Sequence, residues 1–423
     1  MSGNPELSSD DLVRGLGRWD STLLTVGSVI GTGIFITTAD MARVLPHEGM
    51  ILLVWILGGF LTLAGALTYA ELGALYPRAG GMYHYLKEAY GTFWGFLYGW
   101  ACFLVIMSGG IAAVAVAFGE YLGSFLPFFS TGNILFSLQI GGWSWSVSGG
   151  QIAGALAILV LTAVNHIGLR EGAAVQNFLT VFRIGSIVVF VGLAFFVDKR
   201  ASSSITEALP EINLLAAVGI GMIAALWTYD GWYGATFSAG EMRDPQSTLP
   251  FGLVWGTVIV MVLYALINLV YFVALPLDAI AETPRIGESA AAALFGATGG
   301  KLMSFAVLVS TFGCLAATIL FSPRIYLAMS RDGVFFRRLG EVHPRYRTPA
   351  RSLWAQSLWA VALTLSGTYE QIYTYVIFGG LLFHVGTAGA VFVLRRRLPD
   401  LERPYKVWGY PWVPLIFILA SIL

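Results

Sequence analysis

Charge is what this 423-residue chain has least of: Asp, Glu, Lys and Arg make up 11% of it, against 57% hydrophobic residues and a mean hydropathy of +0.75. A soluble globular domain carries roughly a quarter charged residues, so that class is excluded and a multi-pass membrane protein remains. Cysteine is nearly absent. Cys102 and Cys314 both sit inside apolar runs, which excludes a disulfide framework and leaves the thiols as packing residues. His47, His84, His166, His343 and His384 are scattered over separate segments without metal-ligand spacing, and no nucleophile elbow occurs. No catalytic residue, metal or cofactor is therefore expected, and an enzyme is set aside. A small-residue cleavage pattern is missing after the first apolar run as well, so no removable signal peptide is expected and the first helix stays as an anchor.

What is present is a succession of apolar segments. Crossing roughly 30 Å of hydrocarbon takes about 20 such residues. Segments of that kind fall at 21–45, 49–75, 93–126, 151–168, 173–197, 212–238, 251–275, 289–328, 352–368 and 371–394, which makes ten spans. An eleventh begins near Tyr410, and the sequence stops at Leu423 about halfway through it. With the N-terminus inside, about eighteen of the 24 basic residues fall on inside segments and five on outside ones, Arg183 being left within a span. That bias sets the N-terminus as cytoplasmic and supports the span count. Phe128 to Gly150 reads as an extracellular loop with interfacial tryptophans, and 330–349 as a cytoplasmic stretch with a short surface helix.

The chain is organised around one stretch in its first span, Val26-Gly27-Ser28-Val29-Ile30-Gly31-Thr32-Gly33-Ile34-Phe35. Glycine is costly inside a helix, and the hydroxyl of Thr32 can replace a lost backbone bond, so the run reads as a helix interrupted by its own sequence. Gly27 and Gly31 also form a small-xxx-small pair, which alone would mean close helix packing. A second interrupted stretch, Trp227-Thr228-Tyr229-Asp230-Gly231-Trp232, opens a second half, and paired interruptions point to a transporter's binding site. Five spans per half force opposite topologies, so inverted repeats follow from counting. The expected organisation is a cytoplasmic segment 1–20, a first repeat 21–197, an extracellular loop 198–211, a second repeat 212–397, and a cytoplasmic loop with the start of helix eleven at 398–423.

Several stretches together resemble the amino acid-polyamine-organocation (APC) superfamily, and within it the bacterial members of the L-type amino acid transporter family. They are Ile30 to Phe35; Tyr69-Ala70-Glu71-Leu72 with Pro77 and Gly80-Gly81; Gly231-Trp232 with Gly240-Glu241-Met242-Arg243-Asp244-Pro245; Ser330-Arg331-Asp332-Gly333 with His343-Pro344; and Glu402-Arg403-Pro404-Tyr405-Lys406-Val407. The resemblance implies an all-α membrane protein of the leucine-transporter type, five plus five inverted helices with discontinuous first and sixth helices, usually followed by two more. Three departures stand out: Arg183 where the family commonly has Lys, Asp230 where it often has a small residue, and no twelfth helix. The loop 128–150 has no cysteine of the kind that pairs with a glycoprotein subunit, so no disulfide-linked heavy subunit is expected.

An amino acid brings a carboxylate and an ammonium whose desolvation at the midplane backbone dipoles must offset. The half-helix after Gly31-Thr32-Gly33 would offer N–H groups to the carboxylate, while carbonyls at Val29, Ile30, Trp227 and Thr228 would face the ammonium. The candidate substrate site is thus Val29, Ile30, Gly31, Thr32, Gly33 and Ile34 with Trp227, Thr228, Tyr229, Asp230 and Gly231. Trp227 matches the family's aromatic gate, and Phe378 is a candidate side-chain contact. Asp230 is read as capping N–H groups freed at the break; facing the substrate instead, it would favour cationic amino acids or proton coupling. Glu71 and Glu241 are read as interfacial contacts. By resemblance, Arg183 would place a fixed positive charge where sodium-coupled relatives of this fold bind sodium, between the first half-helix and 314–318. The expected function is a sodium-independent secondary transporter or exchanger of small neutral L-amino acids in the plasma membrane. The alternatives are a proton-coupled or cationic amino acid or polyamine carrier, and a non-transporting sensor or channel on the same fold.

Overall fold

A computed structural model describes residues 14–140, 143–167, 169–197, 214–367 and 369–422. The expected loop 198–211, most of the segment 1–20, and Gly141 and Gly142 lie outside the described residues. The fold is mostly helical. In chain order its α-helices are α1 Arg18–Val29, α2 Thr37–Ala42, α3 Glu48–Leu75, α4 Met82–Tyr90, α5 Thr92–Ala101, α6 Met107–Gly123, α7 Gly149–Ile167, α8 Leu169–Ala194 and α9 Leu214–Tyr229. They continue with α10 Pro245–Ala274, α11 Leu277–Glu282, α12 Ile286–Phe321, α13 Pro323–Arg331, α14 Ala350–Thr364, α15 Tyr369–Arg397 and α16 Trp412–Ile422.

Among the described residues eight helical stretches are long and apolar enough to cross a membrane. Two of the ten expected spans fall short for separate reasons: the first is interrupted after Val29, and α14 has only 15 residues. α12 is longer than expected and turns at Gly296, whose φ of +76° splits off a short leading piece. The all-helical expectation needs one correction. The loop 128–150 forms an antiparallel hairpin, β1 Ile134–Ile140 with β2 Trp143–Ser148. Trp145 does not simply rest at an interface, because its Nε1 donates to Leu365 O at 2.7 Å and ties the hairpin to the end of α14. The surface helix expected in 330–349 is a single 3-10 turn, Arg337–Gly340.

Local chemistry explains how the first helix begins and ends. The Asp20 carboxylate reaches back to accept from Gly17 N–H at 2.8 Å, which satisfies a donor the helix start leaves free. At the other end Ile30 is extended, and the chain resumes as a 3-10 turn, Gly33–Phe35, before α2. The second interrupted segment is built alike: α9 ends at Tyr229, a turn follows, and a 3-10 helix runs Gly234–Glu241. α1 packs along α10 and touches α8 and α12, while α10 also lies against α3. Both breaks therefore sit inside the helix bundle, where irregular backbone is tolerated in a bilayer.

The end of the bundle that carries Arg18 is closed by ion pairs. Arg324 and Glu241, both fully buried, meet at 3.0 Å. Glu71 is held by Arg395 at 2.6 Å, by Arg403 at 3.4 Å and by the Val407 N–H at 2.7 Å. Lys87 meets Asp332 at 2.7 Å, and the Tyr83 hydroxyl donates to the same carboxylate. Burial pushes the Asp332 carboxyl up, but the Lys87 and Tyr83 hydrogen bonds outweigh it and hold it below the usual carboxylate range.

Candidate functional site

The two interruptions touch. Ser28 Oγ donates to Gly231 O at 2.9 Å, and Thr37 and Thr228 share a hydroxyl hydrogen bond of 2.8 Å. Gly231 has a φ of +94°, and a Cβ there would fall 2.6 Å from Ser28 O, so only glycine fits both the turn and the approach. Gly33 packs as closely: a Cβ would lie 2.8 Å from Thr228 Oγ1. The glycine pattern thus serves packing and interruption together, which the sequence left as alternatives.

Between the breaks lies a cavity of about 60 Å³. Val29, Gly31, Thr32, Gly33, Trp227, Thr228, Asp230 and Gly231 line it, as do Ser28, Met107, Tyr233, Cys314 and Phe321. Ile30, Ile34 and Tyr229 do not; they are buried in the surrounding packing, with the Tyr229 hydroxyl donating to Trp55 O at 3.2 Å. Phe378 is a further correction, since it is 72% exposed and points out of the bundle. The N–H groups of Gly31, Thr32, Gly33 and Ile34 have no acceptor among the described residues, the first bond of the turn being Phe35 N–H to Thr32 O at 2.9 Å. Buried donors are rarely left unpaired, so four in a row mark a place for an acceptor from outside the protein.

The carbonyl half of the expected site differs. Val29 O and Thr228 O both accept from the Tyr264 hydroxyl at 3.2 Å, and Trp227 O accepts from Asp230 N–H at 3.1 Å. Ile30 O accepts from Arg183 Nη1 and, at 3.4 Å, from Ser310 Oγ. All four carbonyls are thus already engaged by protein donors, and a ligand ammonium can reach only the remaining lone pairs. Tyr264 went unread in the sequence because a tyrosine in an apolar helix carries no local sign that its hydroxyl spans two breaks.

Arg183 is 1% exposed and reaches the first break from α8. Its Nη1 donates to Gly27 O at 2.6 Å as well as to Ile30 O, while Nε and Nη2 have no partner among the described residues. On the far side Cys314 of α12 makes a 3.4 Å contact with Ser28 O.

Among the described residues the Asp230 carboxylate accepts from no backbone N–H, so it does not cap the break as expected. Its Oδ2 accepts from the Tyr233 hydroxyl at 3.4 Å, its Oδ1 lies 3.9 Å from His384 Nε2, and its side chain is 30% exposed. His384 also went unread, although an ionisable side chain inside an apolar span is a default signal of function. Trp227 stacks on Tyr373 with ring centroids 5.3 Å apart. Tyr373 in turn lines a second, larger cavity of about 670 Å³ at the Arg43 end of the bundle, so the stacked pair stands between the two spaces.

Paired helix breaks enclosing a small cavity of unpaired N–H groups, inside a bundle of membrane-length helices, define a membrane carrier. The amino acid permease family model matches residues 16–423, and the chain belongs to that family, within the APC superfamily, whose members are transporters and not enzymes. It is 34% identical over 417 residues to the serine/threonine exchanger SteT of Bacillus subtilis (strain 168), covering 97% of this chain and 90% of the relative. It is 28% identical over 431 residues to the human b(0,+)-type amino acid transporter 1, covering 100% and 83%. It is likewise 28% identical over 417 residues to the human large neutral amino acids transporter small subunit 2, covering 96% and 74%.

Proposed function

We propose that the protein is a secondary transporter that exchanges small neutral L-amino acids by alternating access, without sodium, across a bacterial plasma membrane. The observation that carries this reading is the row of unpaired N–H groups on Gly31, Thr32 and Gly33, which line a cavity of about 60 Å³. It offers a carboxylate several donors, in a space far below the roughly 300–1,000 Å³ of drug-sized sites. The serine/threonine exchange in the name of the Bacillus relative supports substrates of that size. Trp227 acts as the gate, stacked on Tyr373 between this cavity and the larger one. Arg183 supplies, between the first break and α12, the positive charge a sodium ion would otherwise bring. With the N-terminus cytoplasmic and the halves related as inverted repeats, the large cavity opens outward and the ion pairs at the Arg18 end seal the inside.

An exchange panel in proteoliposomes tests this: external labelled amino acids, with and without internal amino acid, with sodium or choline, and with a pH gradient. Serine, threonine and alanine should exchange with internal amino acid equally well in choline. No movement of any amino acid would remove the reading. Because the Asp230 carboxylate faces the cavity, a second reading is a cationic or proton-coupled carrier, which the same panel would show as lysine or arginine uptake, or as uptake that follows the proton gradient.

A further inference from the structure

We propose that His384 is a proton-binding partner of Asp230 and that its charge sets whether the site reads a substrate's side-chain hydroxyl. The proposal rests on the small-amino-acid reading above and deepens it. Asp230 lines two spaces, as Ile106 and Tyr233 do: the cavity at the breaks and a second one of about 40 Å³ bordered by Thr62, Gly380 and His384. A side chain leaving the backbone-binding cavity toward the second one passes this carboxylate.

The His384 ring is held in a fixed attitude. It stacks on Trp232 with centroids 5.8 Å apart, meets the edge of Tyr233 at 4.7 Å and that of Phe417 at 6.5 Å. Its Nδ1 lies 2.7 Å from the Tyr69 hydroxyl. With that hydroxyl donating to Nδ1, the neutral ring carries its hydrogen on Nε2, the nitrogen 3.9 Å from Asp230 Oδ1. The titratable groups about the ring are Asp230 and Tyr233 from the second break and Tyr69 from α3 with Tyr85 of α4 beyond it, while Cys102, before α6, interacts with Asp230. α16 carries no charged residue, and Glu71, two positions along α3, is occupied by Arg395 and Arg403. Asp230 is thus the charge that the ring faces.

Two states follow. With His384 neutral, Asp230 keeps a free negative oxygen, and a serine hydroxyl can donate to it in a charge-assisted bond. With His384 protonated, the imidazolium pairs with Asp230 and offsets its charge, so the hydroxyl's bond to the carboxylate loses most of its charge assistance. Alanine has no hydroxyl to lose. The ratio of serine to alanine affinity therefore reports the proton on His384, and because the two amino acids ionise alike, general effects of pH cancel.

The test is competition binding of L-serine and L-alanine to the whole protein in lipid nanodiscs from pH 5 to pH 8. Serine should be preferred roughly tenfold or more at pH 8, the size of a hydrogen bond to a charged group. The ratio should fall steadily as the pH is lowered toward 5. His384→Asn should make the ratio independent of pH, with alanine binding serving as the control for folding. Asp230→Asn should hold the ratio low at every pH. A wild-type ratio that is flat with pH, or a His384→Asn ratio that still slides, overturns the proposal and leaves the transporter reading standing. Failure of both amino acids to bind the wild type overturns that reading and this one with it.

Discussion

Replacing Arg183 by leucine separates the stability of this protein from its transport. Arg183 Nη1 donates to Gly27 O and Ile30 O, two carbonyls that the first break leaves without helical partners. Removing two hydrogen bonds to a charged donor costs roughly 3–6 kcal/mol at about 1.5–3 kcal/mol each. Against that, the guanidinium is buried with Nε and Nη2 unpaired among the described residues, and a charge at the bilayer centre costs at least about 2.5–3.5 kcal/mol. The two terms nearly cancel. Arg183→Leu should therefore shift the thermal unfolding midpoint by only a few degrees while abolishing exchange, because the break loses the group that pins it toward α8. Arg183→Lys should retain part of the exchange, keeping the charge and losing the planar fork. Exchange of labelled serine in proteoliposomes, run in sodium and in choline, measures both claims. A wild type that stops in choline refutes the idea that this arginine stands in for sodium, and near-normal exchange by Arg183→Leu refutes its role altogether.

Gly33→Val should leave a folded protein that no longer gains thermal stability on adding serine, since the new side chain would press on Thr228 and push the breaks apart, at about 1–3 kcal/mol; an undiminished serine shift counts against the site. Tyr264→Phe withdraws the hydroxyl that lies 3.2 Å from both Val29 O and Thr228 O, and should raise the KM for exchange about tenfold with little loss of expression; an unchanged KM would show that the bridge does not shape the cavity. His84, on the short helix α4, is 8% exposed, and burial pushes its imidazole down to about 4, against the Ala79 carbonyl that favours the charged form. Its unfolded counterpart takes up a proton near 6.5, so the unfolded state binds more protons below that value and stability is lost as pH falls from about 6.5 toward 4, by roughly 3 kcal/mol in all. Unfolding midpoints against pH should show this slope, and His84→Gln should flatten it; a slope that survives the substitution assigns it to another group.

The sequence by itself determined the class of the protein, and it marked the two interruptions and eight of the seventeen residues that line the cavity. Those signals are local: low charge, apolar runs of a given length, and Gly-Thr-Gly or Asp-Gly within one turn each declare themselves without reference to the rest of the chain. Arg183 was legible for the same reason, since a charge ten residues into a span has to be held by something. The tertiary structure alone decided which donors hold the freed carbonyls, because Tyr264 and Val29 are 235 positions apart and nothing in either neighbourhood records the other. It also turned Asp230 toward Tyr233 and His384, turned Phe378 outward, and paired Ile134–Ile140 with Trp143–Ser148 as antiparallel strands. An intramembrane carboxylate must find partners, but which ones it finds depends on how α15 and the second break pack, and side-chain identity along one segment does not encode that geometry.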